Sequence, residues 1–214
     1  MRVNLTIGIP EWVDRVFAWP AMMYRKWKYG YTYRRIGLTE GKYTLVDEAD
    51  YYRLNNFYWI AKPNGKSFTA VRFMGNYWSG SKIIYFHREI MNPPAGLLVD
   101  HKNGDALDNR RDNLRLATHA QNAYNKKKTK SKTSSRFIGV CFSKKTGRWT
   151  AYLRFEGKRI WLGQFDNEID AAKAHDTAAK KYHGEFARLN FPEPQGHSHW
   201  GRQMAEDTKK VLSV

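Results

Sequence analysis

The sequence predicts an α+β protein in which an N-terminal mixed sheet leads into a polar strand–loop–helix segment, and a three-stranded antiparallel sheet packed on one helix follows. Three observations predict it. Between Leu38 and Met91, short runs rich in β-branched and aromatic residues are separated by turn and helix signals. Between 136 and 192, three more such runs precede an alanine-rich stretch bounded by helix start and stop residues. Residues 126–135, "KKKTKSKTSS", hold five lysines and no apolar residue, so they join the two parts without packing in either.

Taken in order, residues 1–36 form a basic arm rich in apolar residues, with Pro20 interrupting what would be a basic amphipathic helix. The arm either packs on the next domain or makes its own contact with DNA or a membrane surface. A domain at 37–125 opens with strands at "KYTLVD", "FYWIAKP", "SFTAVRFM" and "KIIYFHREIM". A short helix, "EADYYRLNN", bridges the first two, and Asn64-Gly65 supplies the positive φ angles of a two-residue hairpin turn. Thr118 with Gln121 three residues on is a capping-box pattern, which starts a helix at Thr118 with Asn122 on its first turn. After the linker at 126–135, the unit at 136–192 holds strands at "FIGVCFS", "RWTAYLRFE" and "RIWLGQF". Its helix is capped by Asn167 with Asp170 answering, and closed by Gly184. Residues 193–214 read as a frayed tail.

Lys and Arg number 37 against 20 Asp and Glu, a formal charge of +17. Such an excess calls for a polyanionic partner, and nucleic acid fits best, because each neutralised phosphate releases condensed counterions whatever the base sequence. No stretch has the length of a membrane span and the N-terminus lacks the uninterrupted apolar core of a signal peptide, so a cytoplasmic, DNA-associated protein is expected, with no membrane partner. Cys141 is the only cysteine. An internal disulfide and a zinc site of paired thiolates are thereby excluded, and any metal must be held by oxygen and imidazole.

The segment "VDHKNGDALDNRRDNLRLATHAQN", residues 99–122, carries the chemistry. Phosphodiester hydrolysis needs a base for water and a divalent cation to neutralise charge on the scissile phosphate. Asp100 and His101 offer ligand and base from one strand end. Neighbours on a strand point to opposite faces, so they serve one site only if a second element closes over the strand. The helix from Thr118 is that element, and Asn122 on it offers a neutral oxygen. A carboxylate with an amide oxygen, completed by water and phosphate, suits Mg²⁺ or Mn²⁺.

The ordered set "DH" at 100–101, "NGD" at 103–105, "DNRRDNLRLAT" at 108–118 and Asn122 resembles the HNH endonucleases, specifically the phage and intron homing subgroup whose final histidine is replaced by asparagine. The resemblance implies a ββα-metal motif. In it His101 is the general base, Asp100 and Asn122 bind a single metal, and Asn113 completes the catalytic loop by tying it to the hairpin and orienting His101. Arg115 either contacts a phosphate or braces the motif. His87 and Arg88, in "FHREIM", match a pair that precedes such motifs, as a structural hydrogen bond or a phosphate contact. His119 is expected to face solvent, and His175, His183, His197 and His199 lack ligand spacing.

In the C-terminal sheet, alternation sends Trp149, Ala151, Leu153 and Phe155 to one face, joined by Ile160 and Leu162. Tyr152, Arg154, Arg159 and Trp161 take the other. Ala171, Ala172, Ala178 and Ala179 let a helix approach the first face closely, which leaves an arginine–aromatic face for solvent or a partner. The runs "GV" at 139–140, "RWTAYLR" at 148–154, "WLGQFD" at 161–166, "AAKAHDTAA" at 171–179 and "HGEFARLNFP" at 183–192 resemble the APETALA2-type DNA-binding domain of plant ethylene-response factors. By that resemblance Arg154, Arg159 and Trp161 occupy DNA-contacting positions, with Lys144, Lys145 and Arg148 near the backbone; core packing is the alternative for Trp161. The first strand departs from the plant pattern by carrying Ile138, Cys141 and Ser143 where that family has arginines, so the plant target does not transfer.

Together these features imply a homing-type endonuclease that needs Mg²⁺ or Mn²⁺ and no small-molecule cofactor, acting on double-stranded DNA. The alternatives are a non-enzymatic DNA-binding regulator with an inactive motif, and an RNA-directed protein. Target sequence, nicking against double-strand cleavage, and oligomeric state are not set by the sequence.

Overall fold

The computed structural model describes residues 10–75, 82–126 and 134–192. Residues 1–9 of the expected arm, 127–133 of the expected linker and the expected tail, with His197 and His199, lie outside the described residues. By compactness the chain forms two units, the first drawing on residues up to Ile90 and on 106–113, the second on 91–105 and residues from Leu114 onward.

The first unit opens with helix α1 (Glu11–Tyr29), which runs through Pro20 and is closed by Gly30 in the left-handed conformation. The proline therefore does not end the helix. Strand β1 (Arg34–Gly37) pairs antiparallel with β2 (Tyr43–Val46). Helix α2 (Glu48–Asn55) follows, and β3 (Ile60–Asn64), β4 (Ser67–Met74) and β5 (Lys82–Tyr85) make an antiparallel sheet in that order. Trp59, Ile36, Leu54, Val46, Val71 and Phe86 form the fully buried core, with the Trp59 indole donating to the Leu54 carbonyl at 2.8 Å.

Three expectations need correction here. β1 begins inside the stretch read as an arm; its two residues facing the core, Arg34 and Ile36, are split between an ion pair with Asp14 and apolar packing, which hides the alternation. The run "KIIYFHREIM" is half strand, because Phe86–Met91 is helix α3 with Phe86 and Ile90 buried one turn apart. The hairpin turn falls on Gly65-Lys66: Asn64 pairs with Ser67 inside the strands, and only Gly65 has positive φ, the pattern of a turn with glycine first.

The second unit begins with the hairpin of β6 (Leu98–His101) and β7 (Leu114–Ala117), followed by α4 (His119–Tyr124). Strands β8 (Val140–Ser143), β9 (Arg148–Phe155) and β10 (Lys158–Phe165) form an antiparallel sheet with β9 central, under helix α5 (Glu168–His183) and a short 3-10 turn at Gly184–Phe186. Val140, Ala151 and Leu153 bury against Ala171, Ala172, Ala178 and Ala179. The small side chains on α5 allow this close seat, as expected. The register slips by one residue between Trp161 and Gly163.

Gly139 shows why the sheet needs a glycine at its entry. Its φ is +71°, and a Cβ there would overlap the His175 ring and the Tyr152 carbonyl. His175 and Asp176 are themselves buried, and Asp176 accepts from the backbone of Asn190 (2.9 Å) and Phe191 (2.8 Å), which fastens the chain beyond α5 to the sheet.

Candidate active site and nucleic-acid interface

The hairpin register sets Asp100 directly across from Arg115 and His101 across from Leu114. Cross-strand partners share a face, so the Arg115 guanidinium reaches Asp100 Oδ2 with Nε at 2.9 Å and Nη2 at 2.7 Å. Both side chains are buried. The other guanidinium nitrogen donates to the Glu185 carbonyl, and the Phe186 ring lies 4.0 Å beneath the guanidinium carbon. Arg115 therefore braces the motif and ties it to the turn after α5.

Asn125, the residue just after α4, is a member of this site that sequence reasoning missed. It is buried, and its side-chain amide donates to both Asp100 oxygens at 3.1 Å and to the His101 carbonyl at 2.8 Å. The signal was present, since Asn122 and Asn125 stand three apart and share one side of a helical turn. The His101 carbonyl also accepts from Gly104 N at 2.8 Å, so the backbone of the expected base is held from two directions. His101 is as buried as Asp100.

The capping box at the start of α4 forms as expected, with Gln121 N donating to Thr118 Oγ1 and Thr118 N to Gln121 Oε1. Asn122 sits half-buried on this helix, which packs against β6 and β7. His119 is exposed. Among the described residues no group of three or more His, Cys, Asp or Glu side chains is placed to hold a metal. Of the expected ligands, Asp100 already receives Arg115 at Oδ2 and, among the described residues, Asn125 at Oδ1.

Asn113 and the run before it belong to the first unit. The Asn113 amide donates to the Asp108 carbonyl at 2.7 Å, closing the loop on itself. Asp108 makes a two-point ion pair with Arg110, whose guanidinium covers the Tyr31 ring at 3.5 Å. Arg111 makes another with Asp50. Burial would raise the Asp50 carboxyl, but hydrogen bonds from Arg111 and Arg53 outweigh it and leave it below its usual value. Leu45 pairs with Asp108 as a parallel bridge, and the Asn109 amide donates to Thr44 Oγ1. The run "DNRRDN" is therefore a lock that holds the loop on β2 and α2. His87 lies half-buried with its ring 5.6 Å from that of Tyr85, and Arg88 is exposed.

A second residue not anticipated is Arg188. Its Nη1 donates to the Asn103 carbonyl at 3.3 Å, and burial pulls its pKa down against the opposing charge of Asp100. The chain beyond α5 thus brings a cation to the motif loop.

On the C-terminal sheet, Arg154 pairs across from Arg159, and Tyr152 from Trp161. All four lie on the face away from α5. Arg154 and Arg159 are exposed, and Trp161 is 63% exposed, so it is not core. The Arg159 guanidinium lies 3.5 Å over the Tyr152 ring. Lys144 and Lys145 sit in the exposed β8–β9 turn, while Arg148 pairs with Asp166 at 2.8 Å. At the edge of the sheet, the His183 ring stacks on Tyr124 with centroids 3.8 Å apart and planes 3° from parallel, and its Nε2–H donates to the Arg154 carbonyl at 2.8 Å. Burial lowers the His183 pKa, with that hydrogen bond opposing.

Comparison with known proteins bears on both regions. Residues 89–124 match the family model HNH_3, described as HNH endonuclease, and residues 135–185 match the AP2 domain. Over 58 residues the chain is 45% identical to the AP2-like ethylene-responsive transcription factor TOE2 of Arabidopsis thaliana, covering 27% of this chain and 12% of that protein. It is 46% identical over 66 residues to ethylene-responsive transcription factor 3 of Nicotiana tabacum, covering 30% of this chain and 29% of that protein. With dehydration-responsive element-binding protein 2A of Arabidopsis thaliana the identity is 50% over 48 residues, covering 22% and 14%. The chain thus spans less than a third of each of these relatives. No helix among the described residues is long and apolar enough to cross a membrane.

Proposed function

We propose that this chain, which joins an HNH endonuclease segment to an AP2 domain, is a metal-dependent DNA endonuclease of the homing type, positioned on duplex DNA by its C-terminal sheet. The observation that carries the proposal is the clamp on the end of β6: Asn125 and Gly104 fix the His101 backbone while Asn125 and Arg115 fix Asp100. A catalytic pair benefits from such preorganisation, because misplacement by an ångström costs orders of magnitude in rate.

In this reading the His101 imidazole accepts a proton from water as its oxygen bonds to phosphorus and the bond to the leaving oxygen breaks. Asp100 and Asn122 fit a hard divalent cation such as Mg²⁺ or Mn²⁺, two protein oxygens with water and phosphate completing the shell. When bound, the cation supplies charge neutralisation at the phosphate and leaving oxygen. Arg188, which donates to the Asn103 carbonyl in the motif loop, would draw a phosphate toward the site. Residues 37–125 would act as the nuclease domain and 136–192 as the DNA-binding domain, with Arg154, Arg159 and Trp161 facing the groove and Lys144 and Lys145 its phosphates.

A second reading, a DNA-binding regulator with an inactive motif, draws support from the ion pair that occupies Asp100 and from the transcription factors among the relatives. One experiment separates the two. Supercoiled plasmid and a random-sequence duplex library are incubated with the full chain, with and without Mg²⁺, and cut ends are mapped. The endonuclease reading expects metal-dependent cleavage that His101→Ala lowers about 10²–10⁴-fold with DNA binding retained. Metal-dependent cleavage that His101→Ala leaves unchanged removes His101 as the base, and no cleavage by the parent favours the regulator.

A further inference from the structure

Among the described residues, helix α1 leaves an apolar stripe uncovered. It docks on its own unit through one side: Asp14 holds Arg34 at 2.6 Å and the Tyr52 hydroxyl at 2.9 Å, and Arg25 donates to the Tyr33 carbonyl. The other side presents Trp12, Val16, Trp19, Met23 and Trp27, with the three tryptophans 69%, 61% and 81% exposed. At 100° per residue these five fall within an arc of about 80°, one continuous seam along the helix. Three indoles in a row are more apolar surface than a lone helix leaves in water without a partner.

The seam reads the same from either end. Trp12 and Trp27, Val16 and Met23, and Trp19 and Pro20 are each spaced evenly about the midpoint of residues 19 and 20. A helix laid antiparallel on such a seam meets like with like: tryptophan on tryptophan at the ends, Val16 on Met23 between, Trp19 on Pro20 at the centre. Charge is segregated in the same sense. Glu11 in the first turn is exposed, while Asp14 is taken by Arg34, and the last turn is basic, with Lys26 and Lys28. Antiparallel pairing brings the acidic turn of one helix level with the basic turn of the other, and opposes the two helix dipoles.

We propose that α1 is a dimerisation helix whose occupant is α1 of a second copy of this chain, antiparallel about a two-fold axis at residues 19 and 20. The contact is isologous, as a closed dimer requires. One helix pair is small for an interface, so the dimer dissociates and forms with concentration.

The test uses the full chain carrying Cys141→Ser, with Val16→Cys or Met23→Cys added. Equal mixtures of the two single-cysteine proteins cross-link under mild oxidation, whereas neither does so alone, because like positions then lie seven residues of helical rise, about 10 Å, apart. Sedimentation equilibrium without cysteine substitutions shows the mass doubling with concentration, and Trp19→Asp raises the dissociation constant more than about 30-fold, the loss expected for a central tryptophan. Glu11→Lys weakens the dimer and adding Lys26→Glu restores it. A chain that stays monomeric at every concentration overturns the proposal. So does Val16→Cys cross-linking alone as readily as in the mixture. Binding of the monomer to phosphatidylserine vesicles with a blue shift of tryptophan emission, abolished by Trp19→Asp, assigns the seam to lipid and overturns it as well.

Discussion

The Asn125 amide and the Asp100 carboxylate face each other with 3.1 Å to both oxygens, and the same amide reaches the His101 carbonyl at 2.8 Å. One side chain thus holds the two residues on which the expected chemistry depends. Asn125→Ala leaves a buried carboxylate short of a donor, at a cost of about 1–3 kcal/mol in stability. Its effect on cleavage should be larger than that implies, about 10–100-fold, the range for residues that orient a ligand from behind. Asn125→Asp should be worse, because it sets a second carboxylate against Asp100. Thermal melts and single-turnover cleavage on one preparation separate the effects; a cleavage rate unchanged in folded Asn125→Ala removes it from the site.

The sheet face makes a separable prediction. Arg154→Ala should cost about 1–3 kcal/mol on the preferred duplex and less on others, whereas Lys144→Ala should weaken every duplex alike and flatten the log–log salt slope by about 0.9. Arg159→Lys should behave as a loss rather than a conservative change, since an ammonium cannot reproduce the stacked guanidinium over Tyr152. Titrations at two salt concentrations check all three.

His183 gives a pH dependence. Burial holds its pKa below 6.5, so the folded state binds its proton less readily than the unfolded chain. Its contribution is complete above the unfolded value of 6.5 and is lost as pH falls from there through the folded pKa. The midpoint of thermal unfolding should decline over that window in the parent. His183→Phe keeps a ring over Tyr124 without a titrating group and should flatten the decline. An identical pH profile for both proteins would assign it elsewhere.

Gly139→Ala should cost about 3 kcal/mol or more, from a positive φ that alanine resists and a Cβ forced onto His175 and the Tyr152 carbonyl. Denaturant unfolding of the full chain measures it. Gly147→Ala, where φ is +67° but the Cβ meets nothing within 4 Å, isolates the backbone part alone and should cost about 1 kcal/mol.

Much of the fold was written locally. The capping box at Thr118, the Asn167 cap and the alternation of β9 depend on residues a few positions apart, and each appears where the sequence put it. What failed was long-range or displaced by one residue. β1 is hidden because Arg34 is buried by an ion pair twenty residues away, and "FHREIM" looks like strand until Phe86 and Ile90 find the same core. In the candidate site, Asp100, His101, Asn113 and Asn122 were named from the resemblance their order carries, and the structure shows Asn113 donating to the Asp108 carbonyl. The partners that hold Asp100 and His101 were not legible: Arg115 acts through a hairpin register, Asn125 through the end of a helix, and Arg188 from 85 residues beyond Asn103. Packing chooses such partners, and spacing carries no record of them.

The Tyr124–His183 stack joins α4 to α5, and the seat of Arg115 on Phe186 joins β7 to the turn after α5. If the sheet reads DNA and the hairpin cuts it, as proposed, the two so joined form a ruler. If the sheet docks at one register on a duplex, the distance to the severed phosphate is a whole number of base pairs set by these rings, not by the length of the basic segment before Ser134. Inserting residues into that segment would then lengthen the chain without moving the cut.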